Sequence, residues 1–355
     1  MKMDSKRSLL RWFSLAGAVV VALLAQGLTG NNLYAYAYNT CNGNPIKWNG
    51  GWTNMYLNTT SFTPGGVWDS RVQNAMWHWN NVKGSGFNFY VGRTSGGVSS
   101  GNGINEVYFT WDNLNGALAV TKTRYHCYWF FGWNYGMDEA DIAFNLNYSW
   151  SPWDYDYSSP GGPPYNFEGV ALHELGHAQG FNHEDRWQAT MNSIYPNGGP
   201  FGHWKEWDPS ADDRQAARYF YYDGTTEADI AASAVKYTGS GTSWTVSSPS
   251  WAYRGTYVTM EFTFSNLGTS TQNFDIGFYL SNDSYIDTSD TWLGANYGAW
   301  ASPGSTGTFT RTVYIPGWIA PGTYYLGFIL DPYNYNWENN KSNNHQEMPR
   351  TITIY

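Results

Sequence analysis

Apolar positions at Val72, Ala75, Met76 and Trp79 recur three and four residues apart, the period of a helix with one buried face, and Asp69 stands where it can cap that helix. Short apolar or alternating runs follow at Phe87–Val91, Glu106–Trp111, Ala117–Thr121 and Ala140–Asn145, which read as strands. A second helical pattern begins near Phe167 with Val170, Ala171, Leu175 and Ala178. A third opens at Ser210 and ends near Tyr222, with Asp212 and Asp213 in the first turn, where the helix dipole favours them. From Ala228 onward no long helical period remains. The runs Tyr257–Ser265, Asn273–Leu280, Gly307–Ile315 and Thr323–Leu330 alternate between Gly/Pro/Asn/Ser turns, the spacing of a small β-sandwich. The pattern predicts an α+β region over 38–223 built on a mixed sheet with three helices, a linker at 224–227, and an all-β sandwich over 228–355.

The first 37 residues break this pattern. Lys2, Lys6, Arg7 and Arg11 precede a short apolar run from Trp12 to Ala25, and Ala35-Tyr36-Ala37 offers small residues where a signal peptidase reads. The run is too short to span a bilayer comfortably, and no later segment suits that role. Residues 1–37 therefore read as a removed signal, and the protein as secreted.

Composition agrees with a sheet-rich, loop-rich chain: 19% of residues are aromatic and only 13% charged. Without the leader's four Lys/Arg and one Asp, 15 basic and 27 acidic side chains remain, a net charge of −12. That sign argues against a nucleic-acid partner. The two cysteines, Cys41 and Cys127, read as one disulfide tying the N-terminal segment to the body. A zinc-capping role for Cys41 lacks the neighbouring Arg that would fix such a plug.

The chemistry concentrates in residues 173–183, HELGHAQGFNH. On a helix, His173 and His177 lie one turn apart on the same face and can reach one metal, while Glu174 projects beside it. Gly180 can take a left-handed conformation, end the helix and let His183 return as a third ligand. Three protein ligands leave a fourth position for water, the arrangement of a catalytic zinc. Five such positions arise by chance in on the order of one in 10^5 chains of this composition, well beyond ordinary short-motif coincidence.

With Met191 eight residues beyond His183, the motif resembles the metzincin zinc endopeptidases, whose Met-turn underlies the metal. The spacing to Met191 is similar to the matrixin branch. So are Gly116-Ala117-Leu118-Ala119, which resembles its edge strand above the cleft, Glu139–Phe144, which resembles the next strand, and Ser210–Asp213, which opens the last helix. The resemblance covers about 45–222. It implies a zincin-like fold, one catalytic zinc on His173, His177 and His183, Glu174 as general base, and a peptide substrate lying along Ala117, Leu118 and Ala119. It departs where matrixins of the vertebrate type place histidines for a second zinc: Val120 and Ala143 stand there, so one zinc is expected. Glu184 follows the third histidine, as in astacins, yet Ser193 stands where astacins have a tyrosine ligand. Tyr195 is expected in the wall of the specificity pocket, and no pro-domain of the family type is seen before the catalytic region.

The C-terminal region resembles CARDB-like immunoglobulin-type domains through Tyr279–Asp283, Asp287, Asp290, Pro321–Leu326 and Glu338–Asn344. Asp283, Asp287 and Asp290 offer oxygens for calcium, although a turn rich in capping Asp explains them as well and is the reading favoured. A cell-surface or polymer ligand for this domain, touched by aromatics such as Trp300 and Trp318, is a further expectation. His78, His126, His203 and His345 lack ligand spacing. The leading expectation is a secreted zinc endopeptidase. The alternatives are a surface adhesion protein whose peptidase domain is secondary or inactive, and a metallohydrolase acting on a non-peptide bond.

Overall fold

A computed structural model describes residues 37–153, 164–185, 189–193, 208–234 and 246–355. The chain is mostly β with few helices. Ala35–Tyr355 forms one compact unit. The signal expected over 1–37 lies outside the described residues except at Ala37, which pairs as a strand residue with Asn182. Among the described residues no helix is long and apolar enough to cross a membrane.

The first sheet has five strands: β1 (Trp52–Asn58), β2 (Asn88–Thr94), β3 (Glu106–Thr110), β4 (Ala119–Trp129) and β5 (Trp133–Asn145). Their order is β2-β1-β3-β5-β4, parallel throughout except for the antiparallel edge strand β4. Helices α1 (Val67–Asn80) and α2 (Phe167–Gln179) pack on this sheet, and α3 (Ala211–Tyr221) contributes Ala216, Ala217 and Phe220 to the same core. Trp79 joins the two packed helices through its indole N–H, which donates to Leu172 O at 2.9 Å.

Several expectations shift. Gly66, not Asp69, is the N-cap of α1; Asp69 is buried inside the first turn, where it accepts from Gly65 N and pairs with Arg93. Strand β1 is absent from the sequence pattern, since its period-2 alternation is diluted by Asn54 and Asn58. The strand expected from Ala117 begins at Ala119, because Leu114, Asn115 and Gly116 turn the chain through positive φ just before it. Strands β4 and β5 both extend far beyond the runs expected, into a long hairpin of exposed aromatics.

The second region has its own core. One sheet is β6 (Ile230–Ser233), β7 (Tyr257–Asn266) and β10 (Thr306–Tyr314). The facing sheet is built on β8 (Gln272–Ser281), β9 (Thr291–Ala301), β11 (Gly322–Leu330), β12 (His345–Glu347) and β13 (Ile352–Ile354). Strand β9 gives no clear sequence signal because its burial is shallow and two glycines, Gly294 and Gly298, interrupt it. The stretch 224–227 is fastened to both regions: Gly84 N donates to Thr225 Oγ1 at 2.7 Å, and Glu227 N to Thr269 Oγ1 at 2.9 Å.

Candidate metal centre

Helix α2 presents the motif. Asn166 caps it, accepting from Gly169 N, and Gly180 ends it at φ +112°. A side chain at Gly180 would also meet Ile46 O at 2.8 Å, so this position needs glycine twice over. The reversal brings His183 back to the helix.

The three imidazoles then converge. His173 Nε2 and His177 Nε2 lie 3.2 and 3.1 Å from His183 Nε2. Among the described residues this trio is the one group of three or more His, Cys, Asp or Glu placed to hold a metal ion. The far nitrogens fix the tautomers: His173 Nδ1–H donates to Thr190 O and His177 Nδ1–H to Phe181 O, each at 2.7 Å. Both Nε2 lone pairs therefore point inward. Burial, foremost, pushes all three histidines below the ordinary imidazole range, which keeps them neutral. With His183 in the Nδ1–H tautomer as well, all three Nε2 lone pairs are available to a single cation. Tetrahedral bonds of about 2.05 Å would set such nitrogens about 3.3 Å apart, so the donor set fits zinc.

Glu174 lies buried beside this point, and burial pushes its carboxyl up to about 7. Thr121 on β4 pulls the other way: its hydroxyl donates to Glu174 Oε2 at 2.6 Å, and its backbone amide also bonds the carboxylate. Sequence reasoning missed Thr121. The alternation of Ala119, Thr121 and Thr123 toward one face was its only signal.

Met191 is buried beneath the motif. A β-carbon at Gly176 would lie 2.2 Å from Met191 Sδ, which explains glycine inside the helix. The segment carrying Met191 is held from α3: Asp213 Oδ2 accepts from Thr190 N at 2.5 Å and from the Ser210 hydroxyl. Thr190, another residue the sequence did not single out, thus links α3 to His173.

The site opens into two adjoining cavities. One of about 610 Å³ is lined by Ala119, Thr121, Thr123, Met137 and Phe181; the other, about 370 Å³, by Leu118, Val170, Asn192 and Ser193. Ala117, Ala119, Glu174 and His183 border both. Among the described residues no strand pairs with the outer side of edge strand β4, which runs along this cleft.

The other residues that the sequence pattern points to fall elsewhere. Cys41 and Cys127 are joined as a disulfide. Val120 and Ala143 are cross-strand partners without a ligating atom. Glu184 is buried, and Ser193 is hydrogen-bonded to Asp185 and lines the smaller cavity. Asp283, Asp287 and Asp290 serve as turn caps for Tyr285 N, Ser289 N and Asp287 N. His78 contacts Asp208 and His126 contacts Asp138. Trp318 is exposed. Tyr195 and His203 lie outside the described residues.

A family model described as Matrixin matches residues 126–222, which include the three histidines, Glu174, Met191 and Asp213 but not Thr121. No curated protein matches the chain. Among solved structures, the CARDB domain of a Pyrococcus furiosus protein, in complex with di-metal ions, is 15% identical over 36% of this chain and 90% of its own, with a TM-score of 0.26. A Listeria innocua β-glucosidase in complex with glucose is 13% identical over 38% of this chain and 17% of its own, with a TM-score of 0.22. Likenesses at such scores carry no argument. The matrixin match supports a metallopeptidase-type function for the region that holds the histidine trio.

Proposed function

We propose that this chain is a secreted zinc endopeptidase of matrixin-like, zincin type, with an immunoglobulin-like CARDB-type sandwich at its C-terminal side. The observation that carries the reading is the convergence of His173, His177 and His183 Nε2 atoms beside the buried Glu174 carboxylate. Zinc in such a three-nitrogen site acidifies water and polarises a carbonyl. Glu174 takes the proton of the attacking water and returns it to the leaving amine. Thr121 holds the Glu174 carboxylate in line. A peptide extends along the rim past Ala117, Leu118 and Ala119 and adds to the outer edge of the strand that begins at Ala119. Met191 packs under the ligand helix and keeps its two histidines in register.

The test is Glu174→Ala. The variant retains one zinc per chain by metal analysis yet loses hydrolysis of casein and of a mixed peptide library, and a chelator abolishes the activity of the unaltered protein. Normal turnover by Glu174→Ala refutes the assignment. Saturable surface binding without any cleavage would favour the adhesion reading instead.

A further inference from the structure

Hairpin β4–β5 runs out of the sheet and ends in Tyr128-Trp129-Phe130-Phe131-Gly132-Trp133, five aromatic rings in six residues. Phe131 is 91% exposed, Trp129 67% and Phe130 66%. Folding does not ask for these rings. Phe131 sits at φ +49°, a left-handed position that turns ordinarily give to Gly or Asn. A large apolar side chain that is both conformationally disfavoured and bare to solvent points to a ligand.

The apex is also preformed. Phe130 N donates to Gly132 O at 2.7 Å, and Asn134 Nδ2 lies 3.0 Å from both Phe130 O and Gly132 O. The Cys41–Cys127 disulfide fastens its base, and Asn49 Nδ2 donates to Tyr135 O at 3.2 Å. No ionisable acid or base occurs among the side chains from Tyr128 to Met137 apart from tyrosine; the first beyond them are His126 and Asp138, 2.7 Å apart. From that collar to Phe131 the strand rises about 15 Å at about 3.3 Å per residue.

We propose that Tyr128–Trp133 is an interfacial anchor that inserts its rings into the headgroup–acyl boundary of a neutral, zwitterionic lipid surface. Successive strand side chains point to opposite faces, so the rings splay on both sides of the apex. A fluid phase can surround such a shape, whereas it offers no flat face or groove to a folded protein. Trp and Tyr favour the interface itself, and the uncharged height matches shallow insertion of about 5–10 Å with the His126–Asp138 collar left in water. The open edges of a two-stranded apex keep it at that depth, because unpaired backbone groups are not tolerated in hydrocarbon. A glycan would require polar partners beside the rings, and the one amide there, Asn134, is engaged with the turn. The acidic net charge disfavours an anionic surface. Where the peptidase reading holds, Thr121 lies eight residues down the same strand, so the cleft stands roughly 26 Å from the anchor and faces proteins held at a membrane.

The test is flotation with phosphatidylcholine vesicles of the chain from Ala35 to Tyr355, the compact unit. The expected result is partitioning that falls at least tenfold in Trp129→Ser/Phe130→Ser/Phe131→Ser and falls measurably in Phe131→Gly. Tm should be unchanged or raised in Phe131→Gly, and Trp318→Ser, which removes an exposed ring elsewhere, should partition normally. Equal partitioning by the triple variant, no partitioning by the unaltered chain, or binding confined to salt-sensitive association with anionic vesicles overturns the proposal. These readouts do not involve hydrolysis, so failure here leaves the peptidase assignment standing, and the reverse.

Discussion

Replacing Thr121 with valine isolates one hydrogen bond of the candidate site. The two side chains have the same branched shape, and both suit a strand, so β4 should keep its register. Only the hydroxyl is lost. It lies 2.6 Å from Glu174 Oε2 and 3.0 Å from Glu174 O, and with a single proton it serves the nearer, charged acceptor. A hydrogen bond to a charged group contributes about 1.5–3 kcal/mol, and each 1.36 kcal/mol is tenfold in rate. If the bond holds Glu174 for proton transfer, kcat falls about 10- to 100-fold. KM stays within about twofold, because the backbone groups along the rim are untouched. Thr121→Ser restores the hydroxyl and should recover most of the rate. The assay is steady-state hydrolysis of a peptide found by library cleavage, with zinc content and Tm measured alongside. A kcat for Thr121→Val within twofold of the unaltered protein refutes the positioning argument.

Three further outcomes follow from the packing. Cys41 and Cys127 close a loop across 86 positions, so Cys41→Ser/Cys127→Ser should lower unfolding free energy by about 4–5 kcal/mol in the chain-entropy account, read as a shifted urea midpoint. Burial, foremost, pushes the Asp141 carboxyl up to about 6, with Glu139 and Glu106 adding to it against the bond from Glu106 N, while the amides of Gly101 and Gly103 hold Glu139 low despite its own burial. Because its folded pKa lies above the unfolded one of about 3.9, Asp141 contributes stability below pH 4 that is lost as pH rises through about 6; Asp141→Asn, which carries no titrating group, should flatten that slope in denaturant titrations. Arg218 donates to Lys83 O, Gly268 O and Leu267 O and pairs with Glu227, so Arg218→Met should cost about 3 kcal/mol by the same measurement, a loss that a surface arginine would not cause.

The histidine trio was legible because it is local: four-residue spacing on α2 and a glycine reversal fix the distance from His177 to His183 without reference to the rest of the fold. The helix boundaries at Asn166, Gly180 and Ser210 were legible on the same ground, since caps depend on the chain within a turn. What stayed hidden depends on long-range pairing. Thr121 meets Glu174 only because β4 lies at the sheet edge over α2, and nothing in the sequence near either residue says so. Asp69 looked like a cap from its position, but its partner Arg93 comes from β2, and burial with that partner draws it inside the helix. The long aromatic extension of β4 and β5 was hidden for the opposite reason. Its apolar side chains face water, so it lacks the alternation that marks a half-buried strand.

The same long-range logic makes the C-terminal region part of the candidate site's support. Arg218 reaches from α3 to the carbonyls of Leu267 and Gly268, and Ala211, Ala231 and Leu267 form a small apolar cluster across the junction. At the other end of α3, Asp213 holds Thr190 N, and Thr190 O receives His173 Nδ1–H. The C-terminal region therefore holds α3 near both ends, at Ala211 and at Arg218, and α3 in turn fixes, through Asp213, the backbone that receives His173 Nδ1–H. An imidazole whose far nitrogen loses its acceptor can flip or change tautomer, and partners of this kind are typically worth 10–100-fold in metal affinity. A sandwich attached only as a tether would leave that affinity unchanged when the Arg218 contacts are removed. One that braces α3 would weaken it together with stability, so zinc titration of Arg218→Met separates the two roles.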